Sequence, residues 1–190
     1  MHLITFLILY PVLIFIALLP FRLVYFVSDC LGFLLYRVFK SRFKMVRKNL
    51  RLVFPYISIE EIKKIEKDFY KHFEDITIES IKAFGMNENQ MRNRYKYENI
   101  ELIKDIQKKK KNIILICGHY SNFEWLLSIC YNVKGNGYGI FTPMTNKYFN
   151  KLFEKIRRKH KAYMISRYKV KDFMSNLNPE KYYLFGFAAD

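Results

Sequence analysis

The sequence is short of glycine, proline and cysteine, and each shortage excludes a class of protein. Seven glycines and five prolines among 190 residues are too few for a collagen-like, linker-rich or disordered chain. The three cysteines, Cys30, Cys117 and Cys130, form no C-x-x-C pair and no cluster with histidine. This argues against a disulfide framework and a structural zinc site, and we expect free, buried thiols in a reducing compartment.

Acidic residues are also scarce, because 17 Asp and Glu stand against 33 Lys and Arg, which gives a net charge of +16. Such an excess indicates an anionic partner, which could be a nucleic acid, an anionic membrane surface or an acidic carrier protein. The length of 190 residues suits one modest domain with an appendage.

The N-terminal region is dominated by apolar side chains. Residues 3–21 form a run of 19 without a charge, close to the roughly 20 residues needed to cross a bilayer. We therefore predict an N-terminal membrane helix. A cleaved signal peptide is the alternative, although no Lys or Arg precedes the run and no small-x-small site follows it. A second apolar stretch, 23–36, is too short to span comfortably, and we expect it to lie in the interface or pack on the soluble domain.

A strongly basic stretch follows, with seven Lys or Arg and no acidic residue in 37–51. Basic residues directly after an apolar segment stay on the cytoplasmic side and are attracted to anionic lipid. A solvated helix face is the alternative interpretation. We therefore predict that the body of the protein is cytoplasmic.

Residues 58–84 have the pattern of an amphipathic helix. Ser58-x-x-Glu61 is a capping box, and Gly85 is a plausible stop. Apolar residues recur at spacings of three and four, which predicts one buried stripe. The stripe consists of Ile62, Ile65, Phe69, Phe73 and Ile76.

From about residue 95, short apolar runs alternate with helical patterns, which predicts an α/β fold with a mainly parallel sheet flanked by helices. The predicted strands are 112–117, 138–141, 162–165 and 182–187. The predicted helices are near 122–133, 145–160 and 169–177. The chain then divides into a membrane anchor and interfacial segment (1–36), a basic and helical segment (37–94) and a partial α/β domain (95–190).

Polar residues follow several of these strands at the edge where α/β proteins bind ligands. His119 and Glu124 lie in the loop after the first strand, and Thr142 and Pro143 lie after the second. A carboxylate against an imidazole raises its basicity, so that the free nitrogen can take a proton from a hydroxyl nucleophile. Two alternatives remain open, namely a Ser121-x-x-Glu124 capping box and a core histidine with satisfied hydrogen bonds.

The segment from Gly118 to Trp125, GHYSNFEW, resembles the GH-x-x-N-x-E-W block of the lipid A biosynthesis acyltransferases, a branch of the lysophospholipid acyltransferase superfamily. Further matches lie in order along the whole chain. They are Arg47-Lys48-Asn49-Leu50 for R-x-N-L, Pro143 and Asn146 for P-x-x-N, Arg157 for a functionally important arginine, and Asp190 for the aspartate of a D-[QH]-x-P-like block.

Two departures from the family pattern matter. Thr142 stands where the family commonly has an arginine before the proline, so contacts to a substrate head group are expected to differ. The family continues with further sheet and helix beyond the position of Asp190. The resemblance therefore implies a glycerolipid acyltransferase-like α/β fold that is incomplete at its C-terminus.

The resemblance implies transfer of a fatty acyl group from a thioester, on acyl carrier protein or coenzyme A, to a hydroxyl of a lipid A-type glycolipid. His119 would be the base, Glu124 its orienting partner, Arg157 an oxyanion donor and Asp190 a positioning group. Asn122, Pro143 and Asn146 would contact substrate, and no metal or cofactor is expected because a thioester is already activated. The expected location is the inner membrane, with a single N-terminal anchor and a cytoplasmic catalytic domain.

Other functions remain open beside this one. The acceptor could be another lipid, or the chain could be a non-catalytic protein that binds a membrane surface through its basic residues. Nucleic-acid binding is disfavoured, because the basic residues follow an apolar segment and no recognition-helix or stacking-sheet signature is present.

Overall fold

The computed structural model describes residues 2–39 and 42–188. The chain divides into two compact units. The helical unit is Phe15–Lys82, and the sheet unit combines Met1–Ile14 with Ala83–Asp190. The helices are α1 (His2–Leu18), α2 (Phe21–Phe33), α3 (Phe43–Val53), α4 (Ile59–Lys82), α5 (Glu88–Arg94), α6 (Glu101–Lys108), α7 (Lys147–Lys159) and α8 (Val170–Ser175), with a π-helical segment at Leu34–Phe39 and a 3₁₀ helix at Trp125–Asn132. The strands are β1 (Ile113–Cys117), β2 (Asn136–Phe141), β3 (Ala162–Ser166) and β4 (Tyr183–Ala188).

The first apolar run is divided between two helices. α1 has 17 residues and ends at Leu18, since Pro20, in extended conformation, precedes α2 and cannot continue the hydrogen-bond ladder. A rise of 1.5 Å per residue gives α1 a length of about 26 Å, against roughly 30 Å of hydrocarbon core. Within residues 2–39 and 42–188, no helix combines the length and apolarity needed to cross a membrane. The predicted single membrane-spanning anchor is therefore not supported.

In the helical unit, α2 packs against α4 around Ile16, Val24 and Ile78. The predicted capping box begins α4, because Ser58 Oγ accepts from the Glu61 backbone N–H at 3.2 Å and Glu61 Oε2 accepts from the Ser58 N–H at 2.9 Å. The second apolar stretch thus contributes to a helix–helix core within the helical unit, and the interfacial or domain-packing role predicted for it stays a prediction.

The buried face of α4 differs from the predicted stripe, and only Ile62 belongs to both. Phe69 and Phe73 are exposed, while ionisable residues occupy much of the buried face. The pattern of apolar residues missed this face because it carries paired polar groups; Lys82 Nζ, for example, donates to two backbone carbonyls, those of Ala17 and Leu19. The buried residues of α4 are Ile62, Glu66, Tyr70, Glu74, Ile78 and Lys82.

In the sheet unit, the strands form one parallel sheet in the order β1-β4-β2-β3. Each strand overlaps one of the predicted apolar runs, and α7 and α8 follow β2 and β3 as expected. The predicted α/β architecture with a parallel sheet flanked by helices is therefore confirmed. β4, the last of the described strands, lies between β1 and β2, so its residues are central in the sheet.

The two faces of this sheet are packed differently. One face carries a core of Ile165, Tyr183 and Phe185, against which residues of α8 pack. On the other face, Ile129 and Cys130 of the 3₁₀ helix pack against the amino-terminal part of the strands. A Cβ at Gly137 of β2 would overlap the Cys130 sulfur, so glycine is required for this close approach.

The cysteines agree with the sequence prediction only in part. All three are free, as expected. Cys130 is buried, and its burial raises the pKa of the thiol to about 11. Cys30, on α2, is exposed, so the prediction that every thiol is buried is wrong for this residue.

Candidate active site

The carboxyl ends of the parallel strands open onto a cavity of about 510 Å³ within the sheet unit. Its walls are mainly apolar, and residues of all four strands contribute to them. In α/β proteins, this edge of the sheet is where ligands bind. Six polar side chains also line the cavity: His119, Glu124, Thr142, Asn150, Arg157 and Arg167.

Two glycines in the middle of the sheet line this cavity. Gly186 of β4 pairs with Gly139 of β2, and the row continues to Leu115 and Met164 on the outer strands. A Cβ built on Gly186 would have the Tyr138 backbone oxygen, 3.8 Å away, as its nearest contact. The sheet face is therefore open at Gly186, whereas at Gly139 a Cβ would meet the side chains of Leu127 and Met164 at 3.1 Å.

The loop after β1 is shaped by two local features. Ser121 has a φ of 56°, in the left-handed region, which turns the chain sharply before the 3₁₀ helix. Asn122 is buried, and its Oδ1 accepts a hydrogen bond from the Trp125 backbone N–H at 3.2 Å. Asn122 therefore has a structural role in starting the helix, and its predicted contact with substrate stays a prediction. The predicted α-helix at 122–133 is a shorter 3₁₀ helix.

His119 is exposed and lines the cavity, with its ring edge-on to Phe123 at a centroid distance of 4.9 Å. His119 is therefore not a buried core histidine, and that alternative interpretation fits His160 instead. His160 is buried, its Nε2 donates to the Ala83 carbonyl at 3.1 Å, and its Nδ1 accepts from the Tyr131 hydroxyl. Burial lowers the pKa of His160, which favours the neutral ring. His119, by contrast, is placed where a substrate could reach it.

Glu124 and Arg157 form an ion pair in the cavity wall through two hydrogen bonds, an arrangement here called a fork. Arg157 Nη2 donates to Glu124 Oε1 at 2.6 Å, and Arg157 Nε donates to Glu124 Oε2 at 3.2 Å. The guanidinium also lies over the rings of Phe141 and Phe153, at 5.8 and 5.7 Å. Both oxygens of the Glu124 carboxylate thus accept hydrogen bonds from Arg157. In the alternative capping box, this carboxylate would instead accept a hydrogen bond from the Ser121 backbone N–H. The predicted contact between Glu124 and His119 stays a prediction, although both side chains line one cavity.

The segment after β2 places Pro143 and Asn146 differently. Pro143 is exposed. Asn146 caps α7, because its Oδ1 accepts from the Tyr148 N–H at 3.0 Å, and its Nδ2 donates to the His2 carbonyl at 3.0 Å. Asn146 thus joins the start of α7 to the start of α1 within the sheet unit. The roles predicted for Pro143 and Asn146 in substrate binding stay predictions.

Asp190, the last predicted catalytic residue, lies outside the described residues. Arg167 was not predicted, yet it lines the cavity directly after β3, and its backbone N–H donates to the Phe141 carbonyl at 2.9 Å. The rule that led to His119 and Thr142, a polar residue just after a strand, would also have identified it. Its guanidinium lies over the exposed ring of Tyr168, at 5.0 Å from the centroid.

A parallel α/β unit with a histidine, a glutamate–arginine fork and a mainly apolar cavity at its carboxyl edge belongs to the class of α/β proteins with a candidate ligand site at that edge. Over residues 1–190 the chain matches the model of the bacterial lipid A biosynthesis acyltransferases, and it belongs to this family. It is 29% identical over 131 residues to the lipid A biosynthesis lauroyltransferase of Escherichia coli (strain K12). That alignment covers 67% of this chain and 42% of the relative, so the chain spans less than half of the relative's length.

Proposed function

We propose that this protein transfers a fatty acyl group from an acyl thioester to a hydroxyl of a lipid A-type glycolipid. The observation that carries this proposal is the glycine-floored apolar cavity with His119, Glu124 and Arg157 in its wall. A hollow of about 510 Å³ lies within the usual range for ligand pockets, and its apolar walls suit a hydrocarbon chain. Membership of the family supports the same reaction class.

In the proposed reaction, His119 removes the proton of the acceptor hydroxyl as the oxygen attacks the thioester carbonyl carbon. The carbonyl oxygen becomes an oxyanion, and its negative charge needs hydrogen-bond donors in place. The tetrahedral intermediate then collapses, the carbon–sulfur bond breaks, and the leaving thiolate takes the proton from the His119 imidazolium. An ester and a free thiol result, so that no cofactor is needed.

The other residues would position these groups. We propose that Glu124 orients His119 and that Arg157, through its fork, holds Glu124 in place. The fork uses two of the five N–H groups of Arg157, so the others remain for the oxyanion or for a substrate carbonyl. A backbone N–H at the start of the 3₁₀ helix is a second candidate donor. Asp190 stays a predicted positioning residue.

We further propose that the reaction takes place at the cytoplasmic face of the inner membrane, with acyl carrier protein or acyl-coenzyme A as donor. The first half of α1, in the sheet unit, supports membrane contact, because Ile4, Leu7 and Ile8 are exposed. The net charge of +16 favours both an anionic lipid surface and an acidic carrier. No role in nucleic-acid binding is proposed.

A different lipid acceptor is the second candidate, and Thr142 favours it. This exposed threonine lines the cavity where the family commonly has an arginine, so one charged contact to a head group is replaced by a hydroxyl. Mass spectrometry of the lipids that accumulate in a deletion strain separates the two candidates. An underacylated lipid A precursor supports the first, and a different underacylated lipid supports the second.

The test of acyl transfer is the substitution His119→Ala, with His72→Ala as the matched control. His72 is an exposed histidine on α4 in the helical unit. Loss of a general base is expected to lower transfer of labelled acyl groups by about 10²-fold or more, whereas the control keeps wild-type turnover. Equal turnover by both variants at equal membrane content would contradict catalysis by His119. Absence of transfer by the unsubstituted protein, with normal membrane content, would instead support a non-catalytic membrane-surface protein.

A further inference from the structure

α3 of the helical unit has one strongly basic face. Every residue of α3 is at least partly exposed. Its four basic residues recur at i, i+3, i+4 and i+7, so they share one side of the helix. Together with Leu52 they line a shallow hollow on the surface of this unit. The four residues are Lys44, Arg47, Lys48 and Arg51.

One of these four side chains holds α3 in place. Arg47 Nε donates to Glu66 Oε2 at 2.7 Å and Nη2 donates to Oε1 at 3.4 Å, while the guanidinium lies over the Phe43 ring at 5.2 Å. Since Glu66 is fully buried on α4, this fork fixes the orientation of the basic face. Lys44, Lys48 and Arg51 form no ion pair with a carboxylate in the part of the chain that the structure describes.

The end of α3 carries an exposed apolar cluster, here called the apolar tip, which consists of Leu52, Val53, Phe54 and Tyr56. Leu52 is 71% exposed and Tyr56 is 99% exposed. Side chains of this size are normally covered, and a contiguous exposed group marks an interaction site. The tip follows directly after Arg51, so the charged and apolar groups are adjacent along the chain.

We propose that the apolar tip inserts into the head-group region of an anionic bilayer while Lys44, Lys48 and Arg51 bind lipid phosphates. A bilayer offers an anionic layer directly above an apolar layer, which matches the order of groups on this element. An acidic protein would satisfy the charges but not the two chemistries in succession. This contact deepens the membrane association proposed above and rests on it, but it requires no acyl transfer.

The test places a fluorescent reporter at the tip without disturbing the rest of the chain. The protein has one tryptophan, Trp125, which is buried in the sheet unit. In the variant Phe54→Trp, we expect the added tryptophan to shift to shorter wavelength and to be quenched by brominated lipid in phosphatidylglycerol-containing vesicles. The unsubstituted protein reports the quenching of Trp125 alone. The same result is expected with His119→Ala added, so that failure of catalysis and failure of this proposal are distinguishable.

Charge is tested by the triple substitution Lys44→Gln, Lys48→Gln and Arg51→Gln. Each basic residue near an anionic surface contributes about fivefold to affinity, so we expect vesicle binding to fall by about 10²-fold. The matched control neutralises Lys109, Lys110 and Lys111, which are exposed in the sheet unit, and it should bind almost as the original does. This control removes the same net charge from another surface.

Three outcomes would overturn the proposal. The first is an added tryptophan that bromolipid quenches no more than it quenches Trp125. The second is an equal loss of vesicle binding in the two triple variants, which would assign the attraction to net charge alone. The third is a blue shift of the added tryptophan with an acidic acyl carrier protein but not with vesicles, which would assign the tip to a protein partner.

Discussion

Each unit of the molecule contains an arginine–glutamate fork, and the two forks differ in their surroundings. Glu66 is fully buried, and its partner Arg47 joins α3 to α4. Glu124 is 21% exposed, and its partner Arg157 lies with it in the wall of an open cavity. The same pairing therefore occurs in two settings, since one fork holds two helices together and the other lies in the wall of an open cavity.

The largest expected effect concerns the fork in the cavity. We predict that Arg157→Ala lowers kcat/KM for acyl transfer by about 10²-fold or more, because Glu124 loses its fixed position and the oxyanion loses a donor. Arg157→Lys should restore only part of the activity, since an ammonium cannot reproduce the planar fork. Steady-state transfer from an acyl thioester measures both variants.

The matched control is Arg47→Ala, which breaks the fork of the helical unit. It leaves the Glu66 carboxylate buried without its cation, which costs about 3 kcal/mol of the free energy of unfolding. Turnover per folded molecule should stay unchanged. If both variants lost turnover equally while keeping their stability, the distinction between the two forks would be wrong.

The second prediction concerns the hollow in the sheet, which depends on Gly186. Gly186→Leu should fill the space above β4 and shift preference toward shorter acyl chains, by about tenfold in the ratio of kcat/KM values. Gly186→Ala should have a smaller effect in the same direction, because its Cβ meets no atom closer than 3.8 Å. A series of acyl thioesters of increasing length measures the shift. A uniform loss across all lengths would argue that the hollow does not hold the acyl chain.

The sequence predicted the sheet unit better than the helical unit, for a physical reason. Strands β1, β3 and β4 are short apolar runs, and in the central strand β4 three consecutive residues are buried, as a parallel sheet requires. The site residues His119, Glu124 and Arg167 are at or near the ends of these strands, so their approximate location follows from the topology alone. What the pattern could not show was that Arg157, 33 positions further along the chain, would bind Glu124.

The helical unit departs from the usual relation between hydrophobicity and burial. Glu66 and Lys82 are buried because partners distant in the sequence satisfy their charges, and no local pattern reveals such partners. The length of α1 was overestimated for a different reason. The run of apolar residues continues through Pro20, but the helix ends at Leu18, because the backbone of Pro20 is extended, whereas Pro11 lies within the helix.

The smallest expected effect compares two buried carboxylates on α4. Glu66 has its arginine, whereas Glu74, two turns further on, has one carboxylate oxygen with no hydrogen-bond partner among the described residues. Burial, and secondarily the negative charge of Asp75, raise the pKa of Glu74. Glu74 therefore opposes folding when it is ionised, whereas Glu66 is held in its fork with Arg47.

A raised pKa gives a definite sign to the pH dependence of stability. Protonated Glu74 contributes favourably to the free energy of unfolding, and this contribution is fully present below the ordinary glutamate pKa. It is lost as the pH rises through the higher pKa that Glu74 has in the folded protein. Glu74→Gln removes this loss, so we expect about 1 kcal/mol of added stability at neutral pH and a flatter pH profile in urea unfolding. Glu66→Gln, the matched control, should instead lower stability at neutral pH, because it removes the partner of Arg47. If the two glutamine variants changed stability in the same direction, the carboxylates of this helix would not differ as the structure indicates.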